Sequence, residues 1–108
     1  MFFFLHSPAQ IKVTSAEGLE AGYGSTADLP DAIYSEEDKL LLIQNALSNY
    51  QIEIIGQGNG TYGLEIGQLT DQKDQWSEIE NKITDGESDF YDVNLTQVKP
   101  ENSLELTI

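Results

Sequence analysis

The chain contains no cysteine and no arginine, and only one histidine, three prolines and five lysines in 108 residues. Without cysteine there is no disulfide framework and no thiolate metal site. Without arginine the usual bidentate reader of phosphate is missing. One histidine leaves a Ser–His arrangement as the sole route to a histidine-based nucleophilic site. That histidine, His6, stands in a terminal segment two residues before Pro8, where an ordinary exposed or strand-end role is expected. Long apolar runs are also missing. The longest at the start, within "MFFFLHSP", has five residues, no basic residue before it, and His6 and Pro8 after it. It is too short for a signal-peptide core or a membrane span.

Acid is what the chain has in abundance. Nineteen Asp and Glu against five Lys give a formal net charge of −14. Such a chain is repelled by nucleic acid and by anionic membranes, so neither a nucleic-acid partner nor membrane insertion is expected. Solubility is the ordinary reading of the acidity. The length fits one domain spanning residues 1–108, with room for a single core.

Alternation with period two dominates. Ile11 and Val13 bracket Lys12. Tyr50, Ile52 and Ile54 alternate with Gln51 and Glu53, and Tyr62, Leu64 and Ile66 with Gly63 and Glu65. Tyr91, Val93 and Leu95, then Leu104, Leu106 and Ile108, repeat the pattern. Half-buried strands need this period because successive side chains face opposite ways. Gly, Asn, Asp and Ser clusters separate the runs. An all-β antiparallel sandwich, Ig-like, with about seven or eight strands is expected.

Two segments compete with a helix. In Ser35–Tyr50, Ser35 suits an N-cap, and Glu36 and Glu37 suit a first turn. The reading preferred here is a strand over Lys39–Gln44 and a turn at "NALSN", pairing with the Tyr50 strand. In Asp74–Ile83, Trp76, Ile79 and Ile83 stand at helical spacing. Pro30 and Pro100 are expected at loop or strand edges.

The stretch "GNGTYG" matches G-x-G-x-x-G. A dinucleotide site needs a helix after those glycines, because the helix N-terminus meets the pyrophosphate. "TYGLEIGQL" follows instead, alternating by two and rich in β-formers. A tight hairpin is the expectation, with Gly58 and Gly60 at positive φ and Gly56 permitting a bend before them. Those glycines then act through backbone conformation and hold no ligand.

Several stretches together resemble a known family. "NYQIEIIGQGNGTYGLEI" is similar to Y-x-V-x-V-x-G-x-G-x-G-x-Y-x-L-x-I. "HSPAQIKVTSAEGLEAGYG" resembles S-P-x-x-L-x-V-x-D-x-x-G with a later G-Y. "DLPDAIYS" resembles I-P-x-A-x-Y, and "NKITDGESDFYDVNL" resembles I-x-x-G-E-x-x-x-Y-x-V. In this order they resemble β-sandwich modules near the C-terminus of secreted and cell-surface proteins of bacteria and archaea. The likeness runs from His6 to Leu95. It departs where the family often has an acidic residue soon after the first strand, since Ser15-Ala16-Glu17-Gly18 stands here, and where Asn49 replaces a common glycine. The resemblance implies a non-catalytic accessory or interaction module, extracellular or at the cell surface. Its expected partner is a neighbouring domain of a longer exported chain or another surface protein. No enzyme activity and no catalytic residue are implied.

Two other chemistries have residues to offer. Calcium takes six to eight oxygen ligands, which carboxylate-rich loops supply. Asp28, Asp31, Glu36 and Asp38, with Glu37, form one candidate cluster, and Asp85, Glu87 and Asp89 another. Calcium is therefore the one cofactor considered, beside the ordinary reading of solvated loop charge. Trp76, Phe90, Tyr91, Tyr50, Tyr62 and Tyr34 could line a carbohydrate platform or fill the core, and a carboxylate pair could serve a small hydrolytic domain. Asn59 and Asn94 begin glycosylation sequons.

Overall fold

The computed structural model describes residues 1–6, 8–25, 29–30, 32–44, 49–69, 74–98 and 103–107; for 69, 74–76, 95–98 and 103–107 the description is of the backbone. Among these residues ten strands run in chain order: β1 (Phe2–His6), β2 (Ala9–Ser15), β3 (Glu20–Gly22), β4 (Ala32–Ser35), β5 (Leu40–Ile43), β6 (Tyr50–Gly56), β7 (Gly60–Leu69), β8 (Asp74–Ile83), β9 (Ser88–Val98) and β10 (Ser103–Thr107). They form two five-stranded antiparallel sheets, ordered β4-β5-β1-β7-β8 and β10-β9-β6-β2-β3. The fold is an all-β sandwich. Seven or eight strands were expected. The extra ones are the apolar N-terminal run, which becomes β1, and the short edge strands β3 and β4, whose three and four residues are too few to show a period.

Alternation does what the sequence indicates. Phe3, Leu5, Leu41, Ile43, Tyr62, Leu64, Ile66 and Ile83 of the first sheet are buried against Ala9, Ile11, Val13, Ala21, Tyr50, Ile52, Ile54 and Val93 of the second. Each such side chain stabilises the fold by roughly 1.5–3 kcal/mol for the larger residues. Register is strongly specified, because a one-residue slip would turn a whole row to water.

Neither helix-like segment is helical where it is described. Ser35 does cap, but it caps a hairpin. Its Oγ accepts from the Asp38 amide at 3.3 Å and donates to Asp38 Oδ2 at 3.1 Å, and Lys39 at φ 54° reverses the chain into β5. The strand reading of Lys39–Gln44 holds as β5. Its expected partner does not: β5 pairs with β1 and β4, and β6 with β2 and β9, so the two lie in different sheets. The "NALSN" turn falls almost entirely outside the described residues. Asp74–Ile83 forms β8, with Ile79 and Ile83 four residues apart on its inner face. Even spacing satisfies a strand as well as a helix, so that pair could not discriminate.

The "GQGNGTYG" stretch requires a correction. It joins β6 of one sheet to β7 of the other, so it is a crossing between sheets and not a hairpin. The β1–β2 connection crosses in the same place. The two crossings lie against each other: the Gln57 amide donates to the Pro8 carbonyl at 2.8 Å. Gly58 has no positive φ, and a Cβ there would make only ordinary contact with Pro8, at 3.7 Å. Gly60 has φ +156°, and its Cβ would come within 3.3 Å of the Pro8 ring. Gly56 ends β6 where a Cβ would overlap the Thr84 carbonyl. The close approach lets the Gly56 amide donate to Glu87 O at 2.8 Å and its carbonyl accept from Gly86 at 3.0 Å. β7 follows the glycines where a dinucleotide fold would need a helix.

Candidate interaction face

The two outer faces of the sandwich differ. On the β10-β9-β6-β2-β3 sheet, Lys12 lies between carboxylates of both neighbouring strands, 3.9 Å from Glu20 and 3.6 Å from Glu53. Ser88 donates to Glu53 at 2.8 Å. Phe90 stands beside Glu53, 58% exposed. This is a charged, solvated surface with one aromatic on it.

The outer face of the other sheet is apolar on one side and acidic on the other. Register puts Ile33, Leu42, Phe2, Gly67 and Trp76 in one cross-strand row, and Ser35, Leu40, Phe4, Glu65 and Glu78 in the next. A third row carries His6, Gly63 and Glu80. Ile33 is 56% exposed, Phe4 38% and Leu42 37%. Phe4 and His6 stack with ring centroids 4.9 Å apart, and His6 Nε2 lies 3.8 Å from Glu65 Oε2. The Phe2 ring covers Gly67, where a Cβ would overlap it, and His6 leans over Gly63. Glycine at these two positions lets the rings of β1 lie down over β7. An exposed apolar row bounded by charge is the usual mark of an interaction surface.

The aromatics that offered either a carbohydrate platform or core filling are divided by the fold. Tyr50 and Tyr62 are in the core. The Tyr34 hydroxyl donates to Gln10 Oε1 at 2.8 Å, and Tyr91 is hydrogen-bonded to Tyr62. Phe90 lies alone on the opposite outer face, and the Trp76 side chain is outside the described residues. The exposed stacked pair is instead Phe4 and His6, from a segment whose apolar run suggested only what it could not be.

The acidic clusters are likewise divided. Asp28 and Asp31 lie outside the described residues. Glu36 and Asp38 occupy the β4–β5 turn, where Asp38 is engaged by Ser35. In the second cluster, Glu87 accepts from the amide and hydroxyl of Thr84 at 3.0 and 3.2 Å, while Asp89 points inward to Tyr62. Among the described residues no group of three acidic or histidine side chains is placed to hold a metal ion. Asn59 sits in the crossing turn with Oδ1 accepting from the Asp85 amide at 3.0 Å, and Asn94 is exposed on β9.

Open grooves lie at the sandwich margins among the described residues. One, about 360 Å³, runs along the β3–β4 edge past Glu20, Ser25, Leu29 and Tyr34. Another, about 320 Å³, lies between the crossing turn and the 84–87 turn. No helix among the described residues is long and apolar enough to cross a membrane.

Comparison with protein-family models, with curated proteins and with solved structures finds no match to this chain.

Proposed function

We propose that the chain is a non-catalytic, Ig-like interaction module of an exported or cell-surface protein. The observation that carries this reading is the half-apolar outer face of the β4-β5-β1-β7-β8 sheet, with Ile33, Leu42 and Phe4 exposed on a chain of net charge −14. A chain this acidic keeps itself soluble by repulsion, and an apolar row on a sheet face serves that end poorly. It serves contact with a neighbouring domain or a surface partner well. The ordered resemblance to appended sandwich modules supports the exported setting.

The second reading is a small carbohydrate-binding or carboxylate-dependent hydrolytic domain. It rests on the Phe4–His6 ring pair beside Glu65. A screen of the purified chain with chromogenic glycosides, chromogenic esters and insoluble polysaccharides separates the two. The interaction-module reading expects neither turnover nor retention. Turnover lost on substituting a single carboxylate replaces it with the hydrolytic reading, and saturable retention on a polysaccharide with the carbohydrate-binding one. A tag on this segment of the parent protein should also be reachable by antibody on intact cells; a tag reachable only after lysis overturns the surface setting.

A further inference from the structure

We propose that the outer face of the β4-β5-β1-β7-β8 sheet docks a cationic amphipathic helix of a partner protein. The inference rests on the interaction-module reading and names the partner's chemistry.

The face has two halves that one occupant must satisfy together. Ile33, Leu42, Leu40, Phe2 and Phe4 make the half on β4, β5 and β1. Glu65, Glu78 and Glu80 are the carboxylates of the half on β7 and β8, where register also places Trp76 opposite Gly67. Glu65 and Glu78 are direct cross-strand partners, and Glu80 is diagonal to Glu65. Like charges directly opposite on an antiparallel pair disfavour the fold. Among the described residues, His6 Nε2 lies 3.8 Å from Glu65 Oε2, and Lys82 is opposite Thr61, one outward position beyond Glu80. A partner's lysine or arginine placed over this half offsets the repulsion between Glu65 and Glu78. The same carboxylates repel an anionic lipid surface or a nucleic acid.

The dimensions select the shape of the occupant. Adjacent strands are about 4.8 Å apart, so β5 to β8 spans roughly 14 Å. A helix with its side chains is about 10–12 Å across. Lying along β1, it sets an apolar stripe on Phe2, Phe4, Leu40 and Leu42 and aims one flank at the carboxylates. An extended segment laid along the strands covers only one or two of them and reaches one half alone. Gly63 and Gly67, under the rings of His6 and Phe2, keep the middle of the face low.

The test uses the whole chain and a fluorescent synthetic helical peptide of about 15 residues, with a leucine stripe flanked by lysines. A scrambled peptide of the same composition and neutral phosphatidylcholine vesicles are the further probes. Saturable binding of the amphipathic peptide, weakened by salt, and at least several-fold weaker binding of the scramble are expected. Glu78→Gln with Glu80→Gln should weaken binding by roughly two- to fivefold for each carboxylate removed. Ile33→Ser with Leu42→Ser should weaken it further, with a circular dichroism spectrum unchanged from the parent; if that variant misfolds, the exposed carboxylate pair still decides. Equal binding of both peptides, or no effect of the glutamine variants, overturns the proposal by reducing the attraction to overall charge. Vesicle binding lost in the serine variants but not in the glutamine ones overturns it in favour of a lipid surface. Failure of the peptide to bind, with no enzymatic turnover, sinks this inference and leaves the interaction-module reading standing; turnover sinks both.

Discussion

The Tyr62 hydroxyl on β7 donates to Asp89 Oδ2 on β9 across 2.7 Å, a hydrogen bond that joins the two sheets through the core. Tyr62 has a single proton and spends it on Asp89, so the neighbouring Tyr91 hydroxyl donates to the Tyr62 oxygen. Removing one member strands the others. Tyr62→Phe keeps the ring and deletes the link, and should lower stability by about 0.5–1.5 kcal/mol, the usual net contribution of a hydrogen bond whose remaining partners, Asp89 and Tyr91, are half-buried. Urea unfolding with an unchanged denaturant slope and a reduced midpoint is the expected result. An unchanged midpoint would show that the link contributes nothing.

Alkaline pH should weaken the fold through two tyrosines. Burial, then the Glu36 charge and Tyr23, push the Tyr34 phenol from 10.0 up to about 12. Burial, then the hydrogen bonds with Tyr91 and Asp89, push Tyr62 higher still. In each case the folded state holds its proton more tightly than the unfolded chain. The stability so gained is fully present below pH 10 and is lost as pH rises towards the folded values. Unfolding midpoints should therefore be level with respect to these groups below pH 10 and fall above it, with Tyr34→Phe flattening the decline between pH 10 and about 12. A decline of the same slope in that variant would exclude Tyr34 as its source.

Gly56 and Gly58 should respond in opposite ways to alanine. At Gly56 the new Cβ meets the Thr84 backbone carbonyl, which cannot swing aside. Gly56→Ala should destabilise by about 1–3 kcal/mol. Gly58 has ordinary space and no positive φ, so Gly58→Ala should lie within about 1 kcal/mol of the parent or slightly above it. Thermal unfolding of the two variants checks both, and a severe loss at Gly58 would revive the tight-hairpin account.

The Glu65–Glu78 pair should be a site where stability is easily gained. Glu78→Lys turns a like-charged cross-strand pair into an opposite one and should add about 0.2–1 kcal/mol. The gain should shrink at high salt, because exposed charges are screened. Paired chemical unfolding at low and high ionic strength measures it, and a salt-independent gain would assign the effect to something other than charge.

Class and core were legible in the residues alone. Ile11, Val13, Ile52, Ile54, Leu64 and Ile66 stand at every second position of their runs, and every one is buried. Period two is a local property, enforced by the geometry of a single strand. The choice between strand and helix for Leu40–Ile43 was harder, because Ser35 and its acidic followers serve a turn as readily as a helix start. The face carrying Ile33, Phe4 and Leu42 was not legible. Its members come from three strands, and only pairing makes them neighbours.

The sequence by itself determined an all-β, strongly acidic chain with one alternating core and no helix behind its glycine motif. Tertiary structure decided which strands are partners. The "GQGNGTYG" residues are compatible with a hairpin and with a crossing, since both need a compact reversal between two alternating strands. Pairing within one sheet or packing across two is settled by long-range burial: β1 takes the place beside β7, and β2 the place beside β6. The same partition aligns Phe4 with Glu65 and Glu78. A surface property of that kind belongs to the register of three strands and to none of them singly.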